Sequence, residues 1–336
     1  MYIWRTFGMN QVIKLYAERV LAGDSLSREQ AFELAKAGQT DFEDFLYWSD
    51  RIRRTFFGNR VHLCSIVPGR LGGCSQDCAF CAQSVHYDTA VDKRPHLLTD
   101  EEILSAAAEA KARQVDHFGI VYSGRSVPAT EVERLAELVR RIHQEYGIRV
   151  CAALGILDEE SLRRLASAGI ERYNHNLETS RRHFPSIVKT HRYEQRAETI
   201  RAALQAGLKV CAGGIFGIGE TLEDRIEMAL ELRGLGVDMV PLNFLHPIPG
   251  TPLGSMPPMT PREILQVVAL YRFLLPQVHL KVAGGRVRNL RDLQSWIFRA
   301  GCTSIISGNY LTTAGRSVEE DRQMIADLGL QASEGG

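Results

Sequence analysis

The chain has 336 residues, 45% of them hydrophobic and 24% charged, with 40 Lys plus Arg set against 40 Asp plus Glu. That balance leaves no net field to capture nucleic acid or an anionic membrane surface. No apolar run reaches membrane-spanning length, and the opening segment carries Glu18 and Asp24 with no cleavable hydrophobic region, so neither a span nor a secretory signal is expected. A cytoplasmic protein with a small-molecule partner, no nucleic acid and no membrane is the expectation. The seven cysteines, odd in number and without a secretion signal, point to free thiols or metal ligands rather than disulfides.

In chain order, residues 1–55 read as a helical extension forming a lid or cap. "MNQVIKLYAERVLAG" has apolar residues at helical spacing, and "SLSREQAFELAKAG" opens with a capping box at Ser27 to Gln30 and closes on Gly38. The helical pattern begins at Met9, so the first eight residues read as an upstream extension. From there to residue 330, eight β-rich runs alternate with amphipathic helical segments: 61–67, 117–123, 149–155, 172–178, 209–218, 239–245, 280–285 and 303–308. Helical stretches such as "PATEVERLAELVRRIHQEYG" and "TLEDRIEMALELRGLG" start at a Pro or polar cap and end at Gly. Eight such units predict a (β/α)8 TIM-type barrel over 56–330, with a C-terminal helix and a flexible tail at 331–336; an open doubly wound sheet is the alternative. The stretch 82–99 reads as a long loop over one barrel mouth.

Directly after the first predicted strand, "GGCSQDCAFCAQS" places Cys74, Cys78 and Cys81 in a C-x3-C-x2-C spacing. Thiolates are the usual ligands of iron-sulfur clusters. Three of them on a four-iron cube leave one iron free for a cofactor or substrate. A structural zinc site would close with four ligands, and no Cys or His follows Cys81 at zinc-finger spacing.

This spacing, with Phe80 before the last cysteine, resembles the signature of radical S-adenosylmethionine (SAM) enzymes. The segments "YNHNLETS", "KVCAGGIFGIGET", "VPLNFL", "PIPGTPL", "AGGR" and "YLTT" resemble those of the biotin synthase family in the same order, from about residue 60 to 330. The resemblance implies a radical SAM sulfurtransferase that inserts sulfur into dethiobiotin. SAM would bind a 4Fe-4S cluster held by Cys74, Cys78 and Cys81 and yield a 5′-deoxyadenosyl radical. It also implies a low-potential electron donor such as flavodoxin or ferredoxin, and a homodimer. Alternatives are another radical SAM enzyme on the same scaffold, of the hydrogenase-cofactor maturase or mutase kind, a non-catalytic iron-sulfur sensor, or a zinc hydrolase.

Cys64, Cys151 and Cys211 fall on three separate predicted strands, where period-two alternation can aim each at the barrel axis. In the family, a second, auxiliary cluster inside the barrel supplies the sulfur, and Cys151 and Cys211 match two of its ligands. Gly119 and Lys281 stand where the better-known form has its remaining cysteine and an arginine. With Cys64 as a third thiolate, the expected auxiliary cluster is of 2Fe-2S or 4Fe type. Cys302 reads as plain core.

Alternation in "RYNHNLE" puts Asn174, Asn176 and Glu178 on one face. By resemblance, Asn176 and Glu178 bind the SAM ribose, Glu178 standing where Asp is usual, and Arg196 pairs with the SAM carboxylate. Phe80, Gly213 and Gly214 complete the cofactor contacts, the glycines letting the backbone approach SAM. Asn174 and Asn243 would reach the ureido ring of dethiobiotin.

Overall fold

A computed structural model describes residues 9–333; the segment 1–8 and residues 334–336 lie outside the described residues. The chain opens with α1 (Gln11–Leu21), α2 (Arg28–Thr40) and α3 (Phe42–Phe57). The strands that follow are β1 (Arg60–Leu71), β2 (His117–Tyr122), β3 (Arg149–Ala153), β4 (Ile170–Asn174), β5 (Lys209–Cys211, continued by Gly214–Phe216), β6 (Met239–Phe244), β7 (His279–Val282) and β8 (Ser304–Ile306). Each pairs in parallel with its sequential neighbour, and β8 returns to β1 with Ile305 opposite Leu63. The sheet therefore closes on itself as the expected (β/α)8 barrel, which leaves its strands without a free edge.

Helices α4 (Asp100–Ala112), α5 (Ala129–Tyr146), α6 (Glu159–Ser167), α7 (Tyr193–Gln205), α8 (Leu222–Leu235) and α9 (Pro261–Leu274) connect successive strands on the outside. Their starts are written locally: Thr99, Asp158, Thr221 and Thr260 each accept a backbone N–H from the first helical turn. Gly147 and Gly236 end α5 and α8 in the left-handed conformation. From β7 to β8 the crossing is made by two short turns, Arg286–Leu290 and Trp296–Arg299, and α10 (Val318–Asp327) packs after the last strand.

The extension is not a lid. Phe45 of α3 packs against Phe273 of α9 with ring centroids 5.4 Å apart, Arg28 pairs with Glu223 of α8, and Phe57 meets His279 at the start of β7. The three helices thus run along the outer helix layer toward the barrel floor, and none of their residues lines the cavities at the mouth. Gly38 does not end α2 but lies inside it, where its missing side chain makes room for Phe45, whose ring would be 2.3 Å from a Cβ. The expected tail is also tied down at its start, since Gln331 and Ala332 pair with Arg60 and Val61.

Two irregularities shape the mouth. The run 209–218 is not one strand: β5 breaks at Ala212 and Gly213, and the break gives Asn176 Oδ1 the N–H of Gly213 at 3.2 Å. The run 172–178 leaves the sheet after Asn174, and Glu178 adopts φ 71°.

Candidate active site

At the end of β1, Gly72 and Gly73 take φ 71° and 59° and turn the chain across the barrel mouth. A side chain at Gly72 would lie 2.5 Å from the Asp92 carbonyl oxygen, so the turn needs glycine. The cysteine loop that follows is pinned on both sides. The Cys74 backbone exchanges hydrogen bonds with Gln83 and Val85, while Asp77 accepts from Lys189 N, Thr190 N and Thr190 Oγ1 at 2.8–3.0 Å. Cys74 and Cys78 line a polar cavity of about 220 Å³, and Cys81 lines an adjoining, more apolar one of about 370 Å³. Burial pushes the Cys78 and Cys81 thiols up, in spite of Arg196 beside Cys78, so the thiolate forms call for a cationic partner in the loop.

Among the described residues no three His, Cys, Asp or Glu side chains close around one point tightly enough to hold a single metal ion. A four-iron cube does not ask for that, because each of its cysteine ligands binds a different corner. Three thiols in one rigid loop, two of them on the polar cavity and one on the apolar, fit such a cube.

Asn174, Asn176 and Glu178 form the wall shared by both cavities. His175 lines the polar cavity with them, because the strand ends at Asn174 and the chain beyond it follows the break in β5, with Leu177 N and Glu178 N both donating to Gly213 O. The Nε2 of His175 is buried without a partner. Arg196 donates to Asn176 O at 2.8 Å and to His191 Nε2 at 3.1 Å, and its Nη2 lies 3.1 Å from Glu178 Oε1. The arginine and the carboxylate expected to hold opposite ends of SAM are therefore ion-paired with each other here. His191 in turn meets Gln76 Oε1 of the cysteine loop at 2.9 Å, which couples the arginine to the cluster site. Burial, Arg196 and Arg125 hold His191 down to about 4, so its Nε2 stays free to accept. Neither His191 nor Gln76 carried a signal in the sequence.

Asn174 Oδ1 is buried and unpartnered, an acceptor waiting for a donor. Asn243 differs: its Nδ2 donates to Gly214 O and its Oδ1 accepts from Gly284 N, so one N–H and one lone pair remain for a ligand. Phe80, expected at the cofactor, lines the apolar cavity rather than the polar one. Gly213 and Gly214 do not line either cavity. Their missing side chains make room for the protein itself, since a Cβ would stand 2.0 Å from Pro241 O at Gly213 and 2.4 Å from Glu178 O at Gly214. Both glycines thus serve a close approach of backbone to backbone.

Cys64, Cys151 and Cys211 converge below the apolar cavity, around Lys281. Burial would push Cys64 up, but Lys281, His117 and the Ser304 hydroxyl bring it down to about 6. Burial keeps Cys151 at about 12 against the pull of Arg172, and Cys211 is also raised, with Lys281 as its nearest cation. Lys281 stays firmly protonated among three thiols. Arg172 is bound to Asp238 at 2.6 Å and leaves Nη1 buried without a partner. Three thiols, two buried cations and an orphaned donor make a chamber suited to an anionic sulfur cluster.

The register explains the missing fourth cysteine. Gly119 is level with Cys151, and a Cβ there would be 3.1 Å from Ile66 Cγ2. Cys64 is level instead with His117, one inward position lower. Cys302 is core, its thiol directed at the carbonyls of Leu280 and Ser304.

Residues 70–232 match the family model described as Radical SAM superfamily, and residues 241–331 match that of the Biotin and Thiamin Synthesis associated domain. The chain is 49% identical over 323 residues to the biotin synthase of Pelobacter propionicus, covering 96% of this chain and 98% of that one. It is 48% identical to that of Geobacter sulfurreducens, covering 94% and 95%. Among solved structures it resembles a methylornithine synthase with a TM-score of 0.82 at 20% identity, covering 95% of this chain and 97% of that one. It also resembles an FeFe-hydrogenase maturase with a TM-score of 0.84 at 15% identity, covering 96% and 76%. At those identities the two structures speak for the fold alone.

Proposed function

The chain belongs to the biotin synthase family of radical SAM enzymes, and from that premise we propose how its residues share the work. The enzyme converts dethiobiotin to biotin, using SAM, a 4Fe-4S cluster and an auxiliary iron-sulfur cluster. When bound, the first cluster and SAM supply a carbon radical that takes hydrogen from the substrate, and the auxiliary cluster supplies the sulfur. Everything else falls to the barrel.

In this reading Cys74, Cys78 and Cys81 hold the cube at the mouth, and Cys64, Cys151 and Cys211 hold the auxiliary cluster at the floor. The apolar cavity between them takes dethiobiotin. The free acceptor of Asn174 and the spare donor of Asn243 suit the alternating donors and acceptors of a ureido ring. SAM fills the polar cavity. Arg196 exchanges its contact with Glu178 for the SAM carboxylate, which frees Glu178 to accept from ribose hydroxyls. Burial already pushes the Glu178 carboxyl up against the pull of Arg196, so the carboxylate gains from any hydroxyl donor that replaces the ion pair. With both cavities filled, water is kept from the reacting carbons.

Electrons would come from a low-potential donor of the flavodoxin or ferredoxin type, and the working unit would be a homodimer, both on family resemblance. No helix among the described residues is long and apolar enough to cross a membrane.

The observation that carries this reading is one cavity in a single barrel lined both by Cys81 of the mouth loop and by Cys211 and Lys281, the lysine whose charge also acts on Cys64 and Cys151. Product analysis tests it. Anoxically reconstituted protein given SAM, reductant and dethiobiotin is expected to form biotin. Release of 5′-deoxyadenosine with no sulfurated product would favour a maturase-like or mutase-like enzyme on the same scaffold.

A further inference from the structure

The floor of the barrel is polar where such barrels are ordinarily filled by Val, Ile and Leu. His117 on β2 stands in direct register with Cys64 on β1, so the two side chains project to the same face as neighbours. It is 4% exposed, and neither ring nitrogen has a hydrogen-bond partner. Nε2 lies 3.7 Å from Oε2 of Glu171, and Glu171 Oε1 is held by Lys209 Nζ at 2.8 Å. A buried imidazole without hydrogen-bond partners costs free energy, and the polar side chains beside it are Glu171 and Cys64. With the carboxylate on the Nε2 side, Nδ1 is the nitrogen left for the sulfur of Cys64.

We propose that His117 is a positioning residue for the auxiliary cluster: Glu171 orients the ring, and Nδ1–H donates to the Cys64 sulfur once that sulfur ligates iron. The proposal rests on the reading of Cys64 as a ligand. A carboxylate behind an imidazole fixes its orientation, as carboxylates do behind ligating histidines at metal sites. A hydrogen bond to a ligating sulfur draws off negative charge, favours the reduced cluster and raises its potential.

Three replacements of one side chain separate the two nitrogens. His117→Asn puts an amide nitrogen close to the place of Nδ1, His117→Gln puts one close to the place of Nε2, and His117→Leu provides neither. Each full-length variant is reconstituted under anoxia, its iron and sulfide are counted, and the midpoint potential of the auxiliary cluster is read by spectroscopic titration. All three are expected to hold the wild-type iron content. The Leu and Gln variants should shift to lower potential, and the Asn variant should stay near wild type. An unchanged potential in the Leu variant overturns the proposal. So does loss of the auxiliary iron from all three, which would make His117 a ligand. Cys64→Ala, measured beside them, tests the underlying reading separately: full retention of auxiliary iron removes Cys64 from the ligand set. Loss of that iron combined with an unshifted Leu variant removes His117 alone.

Discussion

Cys78→Ala is expected to abolish reductive cleavage of SAM, with 5′-deoxyadenosine formation falling by at least ~1000-fold, or about 4 kcal/mol of barrier. The size follows from what the loop can and cannot do without that thiol. Its shape does not depend on the side chain: Asp77 is held by Lys189 and Thr190, Ala79 N donates to Ile187 O, and Cys81 N donates to the backbone carbonyl of Cys78. The variant therefore keeps its fold and loses one corner of the cube. Two thiols cannot retain a four-iron cluster with a further iron open to SAM. Chromatography of dithionite-reduced protein with SAM gives the answer, and Cys302→Ala, which removes only a core thiol, serves as the control that keeps cleaving. Turnover within ten-fold of wild type in Cys78→Ala would contradict the assignment.

The second large effect concerns stability. Asp321→Ala is expected to cost about 3–5 kcal/mol, because it strands a buried guanidinium. Arg286 and Asp321 are both 0% exposed and meet in a two-pronged pair of 2.6 and 2.9 Å, joining the chain after β7 to α10. Arg286 also donates to Gln294 Oε1 and to Ile306 O, at the end of β8. The pair thus ties together the last closing strand and the chain that follows it, where Tyr310 and Thr312 line the apolar cavity. Urea denaturation measures the loss. The double replacement Arg286→Met with Asp321→Leu should recover most of it, since no fully buried charge is then left alone and Arg316, which also faces Asp321 at 3.4 Å, is partly exposed to water. A loss under about 1 kcal/mol in the single variant, as for an exposed ion pair, would contradict the buried-pair account.

The cysteine loop and the strand-helix alternation were readable because both are written in neighbouring residues. Thr99, Thr221 and Thr260 announce their helices, and C-x3-C-x2-C gathers its thiols within one turn of chain. Cys64, Cys151 and Cys211 were readable as a set through period two, one per strand. What surrounds them was not, because it depends on register between strands. Nothing in the sequence says that His117 is level with Cys64, or that Gly119 faces Ile66. The alternation in 172–178 gave no sign of His175 at the cavity, because the chain leaves the pleat after Asn174 to follow the break in β5, a tertiary choice made through Gly213. Gly213 and Gly214 pointed toward the cofactor in the sequence, yet their space is filled by Pro241 and Glu178. The place of α1 to α3 was equally hidden, since it is set by the fit of Phe45 and Gly38 to each other and of α3 to α9 rather than by any local pattern.

Two sets of thiols facing each other across one cavity is the claim on which the rest stands, and a metal count on untouched protein tests it most directly. Wild-type chain purified and reconstituted under strict anoxia should carry more iron and acid-labile sulfide than the roughly four of each that a single cube accounts for. A chain saturated at about four iron, with no further uptake, would contradict the floor site; a chain that takes up none would contradict both.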